Sequence, residues 1–188
     1  MDDRRAGKGS LRLERAGALL RVTLDRPSRA NALNAEIVDG LLAALDDAAA
    51  IVDLRVLVIE GNGANFCGGF DLSEIDAIDE AALIVRILRV ETLLQRIYHA
   101  PFVTIACAQG NAVGAGADLF AACTYRIADP GARFRMPGWQ FGIALGTKRL
   151  CDRIGAAAAR DRLGTSRTLV AAEALHHRLA TDVVERAA

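Results

Sequence analysis

The stretch Gln109-Gly110-Asn111-Ala112-Val113-Gly114-Ala115-Gly116-Ala117-Asp118-Leu119 is built almost wholly of small residues and leads into a helical pattern over about 115–123. Just before it, Phe102-Val103-Thr104-Ile105-Ala106 is a short apolar run. Such a run suits a strand buried on both faces. A strand that passes through small residues into a helix is one unit of an α/β chain, and the flanking sequence repeats the alternation. Upstream, Leu54 to Ile59 reads as another buried strand, closed by the turn Gly61-Asn62-Gly63. Residues 80–98 follow as a helix with Leu83, Ile84, Ile87, Val90, Leu94 and Ile97 on one side. Asn34 suits a helix N-cap, with Ile37, Val38, Leu41, Leu42, Leu45 and Val52 at helical spacing behind it. Leu11–Glu14 and Leu19–Leu24 flank Ala16-Gly17 as a β-hairpin. Downstream, 125–128 and 133–135 read as short strands. A helix is expected over about 148–163, capped by Thr147 and ended by Gly164, and a short one near 170–177. Strands alternate with helical crossovers, so the class is α/β.

A chain of 188 residues can bury roughly 70% of its unfolded surface, enough for a core without disulfide or metal staples. Residues 1–9 read as a mobile lead-in and 10–188 as one core domain. Lys plus Arg is 23 and Asp plus Glu is 23, a balance that argues against a nucleic-acid or membrane-surface partner. No apolar run is long enough to span a bilayer, and the polar start Met1-Asp2-Asp3-Arg4-Arg5 does not read as a signal peptide. Cys67, Cys107, Cys123 and Cys151 form no C-x-x-C pair and have no histidine at metal-ligand spacing, so no metal is expected. The first three sit among small or apolar neighbours and are read as small hydrophobes, in a reducing, cytoplasmic compartment.

Neither glycine loop is a nucleotide motif. Phe66 stands where Gly61-Asn62-Gly63 would need a third glycine, and Leu119 where Gly114-Ala115-Gly116 would. No Lys-Ser/Thr follows either loop. His99, His176 and His177 have no Ser or Cys elbow near them, so nothing indicates a catalytic triad.

Together with Asn65-Phe66-Cys67-Gly68-Gly69-Phe70-Asp71-Leu72, the stretch at 109–119 resembles the paired signatures of the crotonase, or enoyl-CoA hydratase/isomerase, superfamily. Leu24-Asp25-Arg26-Pro27, Asn31-Ala32-Leu33-Asn34, Ala100-Pro101 and Gly146-Thr147-Lys148-Arg149-Leu150 extend the match over about residues 12–184. The resemblance implies a crotonase-like (ClpP/crotonase) ββα superhelix core, acting on an acyl-CoA thioester. Coenzyme A enters as part of the substrate and no other cofactor is implied. The oxyanion donors carried over are the backbone N–H groups of Phe70 and Ala115. Two fixed donors of this kind can hold the charge that develops on a thioester carbonyl. Read as turn formers, the same glycines simply permit close packing. For coenzyme A and the acyl group the resemblance points to Arg29, Ala30, Ala32, Gly68, Gly69, Asp71, Leu72, Gly114, Gly138 and Trp139. Arg26 and Arg29 are read either as phosphate partners or as solvated surface arginines.

The sequence departs from the hydratase pattern at both acids. The first glutamate aligns with Asp118, which is one methylene shorter. It is read either as the catalytic acid or as a first-turn carboxylate at a helix N-terminus. The second aligns with Gly138, which has no side chain, and Trp139 or a bulkier acyl group is expected to fill the space. Hydration or dehydration of an enoyl thioester remains the default. Decarboxylation, thioester hydrolysis and a catalytically weak acyl-CoA-binding paralogue are the alternatives. The match stops near Val184, before the C-terminal helices of relatives, so that helical region is expected to be absent or truncated. A homo-oligomer, trimer or hexamer, is expected to cover the exposed apolar surface. Arg178 stands where relatives often carry a glycine.

Overall fold

The computed structural model describes residues 9–73, 75 and 78–185; most of the lead-in at 1–9 lies outside the described residues. Strands β1 (Leu11–Ala16) and β2 (Leu19–Leu24) form the hairpin, antiparallel with Ala16 opposite Leu19. Strand β1 alternates partly buried and exposed residues, as suits a strand at the sheet's edge. Strands β3 (Val56–Gly61) and β4 (Val103–Ala108) then add in parallel to β2. With β6 (Tyr125–Ala128) and β9 (Asp182–Val183) they complete a sheet of order β1-β2-β3-β4-β6-β9. The short strands β5 (Asn111–Val113), β7 (Arg133–Arg135) and β8 (Leu169–Val170) form a second sheet of order β5-β7-β8.

The crossovers are helical because their apolar residues recur with the helical period. Helix α1 (Ala35–Ala50) is capped by Asn34, whose side chain accepts the Ile37 N–H at 3.0 Å. It buries Ile37, Val38, Leu41 and Leu45. Helix α2 (Glu80–Tyr98) is capped by Asp79, which accepts the Ala82 N–H at 2.7 Å. Helix α3 (Ala115–Ala122) is buried from Gly116 to its end. Gly116 lets the Cys67 backbone come up against the first turn of this helix. Phe66, Phe120 and Phe134 pin this region together: the Phe120 and Phe134 rings lie 4.5 Å apart, and Phe66 meets Phe120 edge-on at 6.2 Å.

Several boundaries differ from the sequence reading. Val52 is 87% exposed, because α1 ends at Ala50 before the last repeat of its apolar stripe. The helix expected over 148–163 is two helices, α4 (Thr147–Ile154) and α5 (Ala156–Thr165). Gly155 parts them at φ +83, a conformation open to glycine and costly to other residues. Gly146 is the cap residue of α4. Thr147 lies inside the helix and donates its hydroxyl to the Ala144 carbonyl at 2.8 Å. Gly164 is helical, and Ser166 takes the left-handed position that ends α5. Arg178, after the short helix α6 (Ala171–His176), sits at φ +64, so the turn usually given to glycine is kept by a long side chain. Cys67 and Cys123 are buried as small hydrophobes, and burial pushes both thiols up to about 12.

The segment 66–71 is laced on both sides. Phe66 N–H donates to the Gln109 carbonyl at 2.8 Å, and Val113 N–H to the Cys67 carbonyl at 3.0 Å. On the other side Leu33 N–H meets the Gly69 carbonyl at 2.7 Å, and Asp71 N–H meets the Leu33 carbonyl at 3.2 Å. This lacing requires residues without side chains. A Cβ on Gly116 would lie 2.2 Å from the Cys67 carbonyl oxygen. We expect Gly116→Ala to lower stability by about 2 kcal/mol in urea denaturation. Gly164→Ala, in open space on α5, should instead raise stability by about 0.5 kcal/mol.

Candidate active site

Hydrogen bonding along an extended segment alternates from side to side, and that alternation aims the Phe70 N–H. The Gly69 carbonyl and the Asp71 N–H both face Leu33. The Phe70 N–H therefore faces the opposite way, toward the start of α3. Gly69 lies against that start: a Cβ on it would be 2.3 Å from the Val113 carbonyl oxygen and 3.3 Å from the Ala115 nitrogen. Ala115 is the first residue of α3, so its N–H has no partner within the helix. Neither the Phe70 nor the Ala115 N–H has a hydrogen-bond partner among the described residues. Both residues line one cavity of about 240 Å³.

The walls of that cavity come from four parts of the chain. Leu72 ends the first motif and Ile75 follows it; Leu83, Ile87, Val90 and Leu94 come from α2; Met136, Phe141, Ile143 and Leu145 come from the segment after β7; and Leu163 comes from α5. Among the described residues, Asp118 is the one charged residue in the lining. An apolar chamber with two unpaired N–H groups at one end can hold a hydrophobic chain with a carbonyl oxygen at its tip.

A family model described as enoyl-CoA hydratase/isomerase matches residues 14–188. The chain belongs to the enoyl-CoA hydratase/isomerase family. It is 32% identical over 178 residues to a probable enoyl-CoA hydratase of Mycobacterium leprae, covering 91% of this chain and 70% of that one. It is 32% identical over 174 residues to the 2,3-dehydroadipyl-CoA hydratase of Escherichia coli, covering 91% and 68%. Among solved structures, one from Bordetella parapertussis, provisionally described as an enoyl-CoA hydratase/isomerase, superposes with a TM-score of 0.92. It is 42% identical, covering 94% of this chain and 74% of that one. These likenesses establish the crotonase fold.

Against the family pattern the acid positions carry the main surprises. Asp118 is 2% exposed and is gripped by Arg149 of α4. Arg149 Nε donates to Oδ1 at 2.7 Å and Nη2 to Oδ2 at 2.8 Å. The same guanidinium donates to Glu91 of α2, Nη1 to Oε1 at 3.0 Å and Nη2 to Oε2 at 2.6 Å. Burial pushes the Asp118 pKa up against the pull of Arg149, and the Glu91 charge adds to the push. Arg149, although buried, is held far above its usual value by the two acids. Its own hydrogen bonds hold Glu91 below the usual carboxylate range. No motif in the sequence announces this cluster, because its members lie 58 positions apart at the extremes.

Gly138 lines the cavity, but its side-chain space is closed. A Cβ there would lie 2.7 Å from the Ile143 carbonyl oxygen, and Ile143 N–H donates to the Gly138 carbonyl at 2.9 Å. The returning backbone, rather than Trp139 or an open hole, occupies the place. Trp139 stands outside the cavity lining, 40% exposed, with its indole N–H on the Thr147 hydroxyl at 3.2 Å.

Of the residues assigned to coenzyme A, Gly68, Gly69, Leu72 and Gly114 line the cavity with the two N–H donors. Ala30 accepts the Gly68 N–H at 2.7 Å, and Ala32 sits beside them. Asp71 is buried and ion-paired with Arg26. Burial opposes ionisation there, but the Ser73 N–H and Arg26 hold the Asp71 carboxyl at about 2. Arg26 is thereby engaged, while Arg29 is exposed. Asn31 is fully buried and braces the loop, accepting the Arg26 N–H at 2.9 Å and donating to the Asn65 carbonyl at 2.8 Å. The Arg86 guanidinium stands 4.9 Å over the Phe70 ring. Removing one member of a buried ion pair strands the other. Asp118→Ala should therefore lower stability by about 3 kcal/mol in urea denaturation.

Proposed function

We propose that the protein binds the acyl part of an acyl-CoA thioester in this cavity, with the carbonyl oxygen on the Phe70 and Ala115 N–H groups. Deprotonation or conjugate addition at the thioester places negative charge on that oxygen. Preorganised donors in a dry site stabilise it, and the α3 dipole, with its positive end at Ala115, adds to them. The single observation that carries this reading is the pair of N–H groups, without partners among the described residues, on two residues that line one apolar chamber. No chemical group beyond coenzyme A is needed, since the charge is met by backbone donors.

Hydration or dehydration of a 2-enoyl thioester is the reaction we assign, with Asp118 as the acid–base group. A carboxylate offers about four lone-pair positions. Arg149 takes one on each oxygen, which leaves acceptors for a water or a substrate proton. A second reading, a thioester-binding member with weak turnover, is favoured by the grip of Arg149 and by the closed space at Gly138. The family, the zero net charge and the two buried thiols suit a cytoplasmic enzyme. Exposed Leu88, Phe141 and Leu175 suit a homo-oligomer.

The test is mass spectrometry of a thioester panel: crotonyl-, 3-hydroxybutyryl-, malonyl-, methylmalonyl- and long-chain enoyl-CoA. Addition of one water to an enoyl-CoA is expected, reduced at least ~100-fold in Asp118→Asn. Release of carbon dioxide or of free coenzyme A would assign decarboxylation or thioester hydrolysis instead. Binding without turnover would leave the second reading. Proline is well tolerated at the first position of a helix and lacks the N–H. Ala115→Pro should therefore keep the protein folded while costing about 100-fold or more in turnover.

A further inference from the structure

The carboxylate in the cavity wall is held from behind by a cation that a second acid shares. Arg149, in the first turn of α4, makes four charge-assisted hydrogen bonds, two to Asp118 and two to Glu91. Nη2 serves both acids. The fork fits closely because Gly146, the α4 cap residue, has no side chain: a Cβ there would lie 2.5 Å from Asp118 Oδ2. Glu91 is absent from the cavity lining and lies on the far side of the guanidinium, where Gln95 also donates to it at 2.8 Å. It therefore cannot replace the missing second acid, and it acts on Asp118 by its charge and by the share it takes of Arg149.

We propose that Arg149 is a positioning residue that aims the free lone pairs of Asp118 into the cavity, and that Glu91 sets how firmly it holds by competing for the same guanidinium. A planar guanidinium fixes both oxygens of a carboxylate at once, which an ammonium cannot do. This fixes the orientation of a side chain that is one methylene shorter than the family's glutamate. Glu91 draws part of the cation away and leaves the Asp118 carboxylate more basic than a private ion pair would. Its turnover aspect rests on the catalytic reading above. The charged groups that face Asp118 among the described residues are Arg149 from α4 and, behind it, Glu91 from α2. From the segment before α4, Gly146 lies against the Asp118 carboxylate. Lys148 and Asp152 of α4 pair with each other, and Arg153 donates to carbonyls at the other end of α3.

The experiment is a carboxyl ¹³C NMR titration of the full chain, with the Asp118 signal assigned by its loss in Asp118→Asn. Glu91→Gln removes a negative charge, so the proton on Asp118 is held less tightly. Its titration midpoint should move to lower pH, by about one pH unit. Where the protein turns over an enoyl-CoA, the limb of the pH profile that belongs to Asp118 should move the same way. Arg149→Lys should move the midpoint to higher pH and lower kcat at least about tenfold with KM little changed. An unmoved midpoint in Glu91→Gln overturns the proposal, whether or not Arg149→Lys folds. So does an Arg149→Lys protein that folds and keeps its kcat. A protein that turns over no thioester but shows the Glu91→Gln displacement retains this electrostatic arrangement and overturns only the catalytic reading.

Discussion

Everything at the site depends on how closely two stretches of backbone approach. Residues 66–70 run against 111–116 with glycine at the contacts, and carbonyl oxygens occupy the space a side chain would need at Gly69 and Gly116. Close-packed interiors do not absorb an added methyl at such a point. The approach brings the Phe70 segment up to the first turn of α3, where unpaired N–H groups are a property of the helix itself. Leu33 supplies the other half of the arrangement by taking the Gly69 carbonyl and the Asp71 N–H on the opposite side. The N–H left over is the one that faces the cavity. Phe66, Phe120 and Phe134 hold the two stretches together from beneath.

The electrostatics of the cavity follow from the burial of its acid. A carboxylate that is 2% exposed needs a partner, and the nearest cation comes from a helix more than thirty residues later in the chain, with Arg149 and Asp118 separated by 31 positions. Arg149 in turn meets Glu91, so the three side chains carry one net negative charge between a cavity wall and the surface. The first motif uses a comparable device, since Arg26 neutralises Asp71 beside Phe70. Among the described residues, each acid near the proposed oxyanion donors thus meets an arginine, Asp71 alone and Asp118 in a share with Glu91. This limits the negative potential at a place where an enolate would have to form.

The α/β class, the hairpin, the two long helices and the paired glycine motifs were all legible in the sequence. Asn34 capped its helix as its residue type suggests. The reading failed at 148–163, where continuous helical periodicity concealed a break at Gly155. At the end of α1, Val52 continues the apolar stripe after the helix has stopped. Periodicity records which residues are apolar, and gives no account of where the backbone turns. The same limit applied at Gly138. The loss of an acid was visible, but the filling of its place by the Ile143 backbone was not.

By itself the sequence determined what local chemistry can specify: strands from β-branched runs, the Asn34 cap, glycine where backbones meet, and an aspartate in the first turn of a buried helix. Only the tertiary structure decided what that aspartate faces. Its partners lie on α2 and α4, which come together through the packing of apolar faces and share no sequence signal for one another. Charge pairing between distant elements is a matter of position and dielectric, and both exist only once the core has closed.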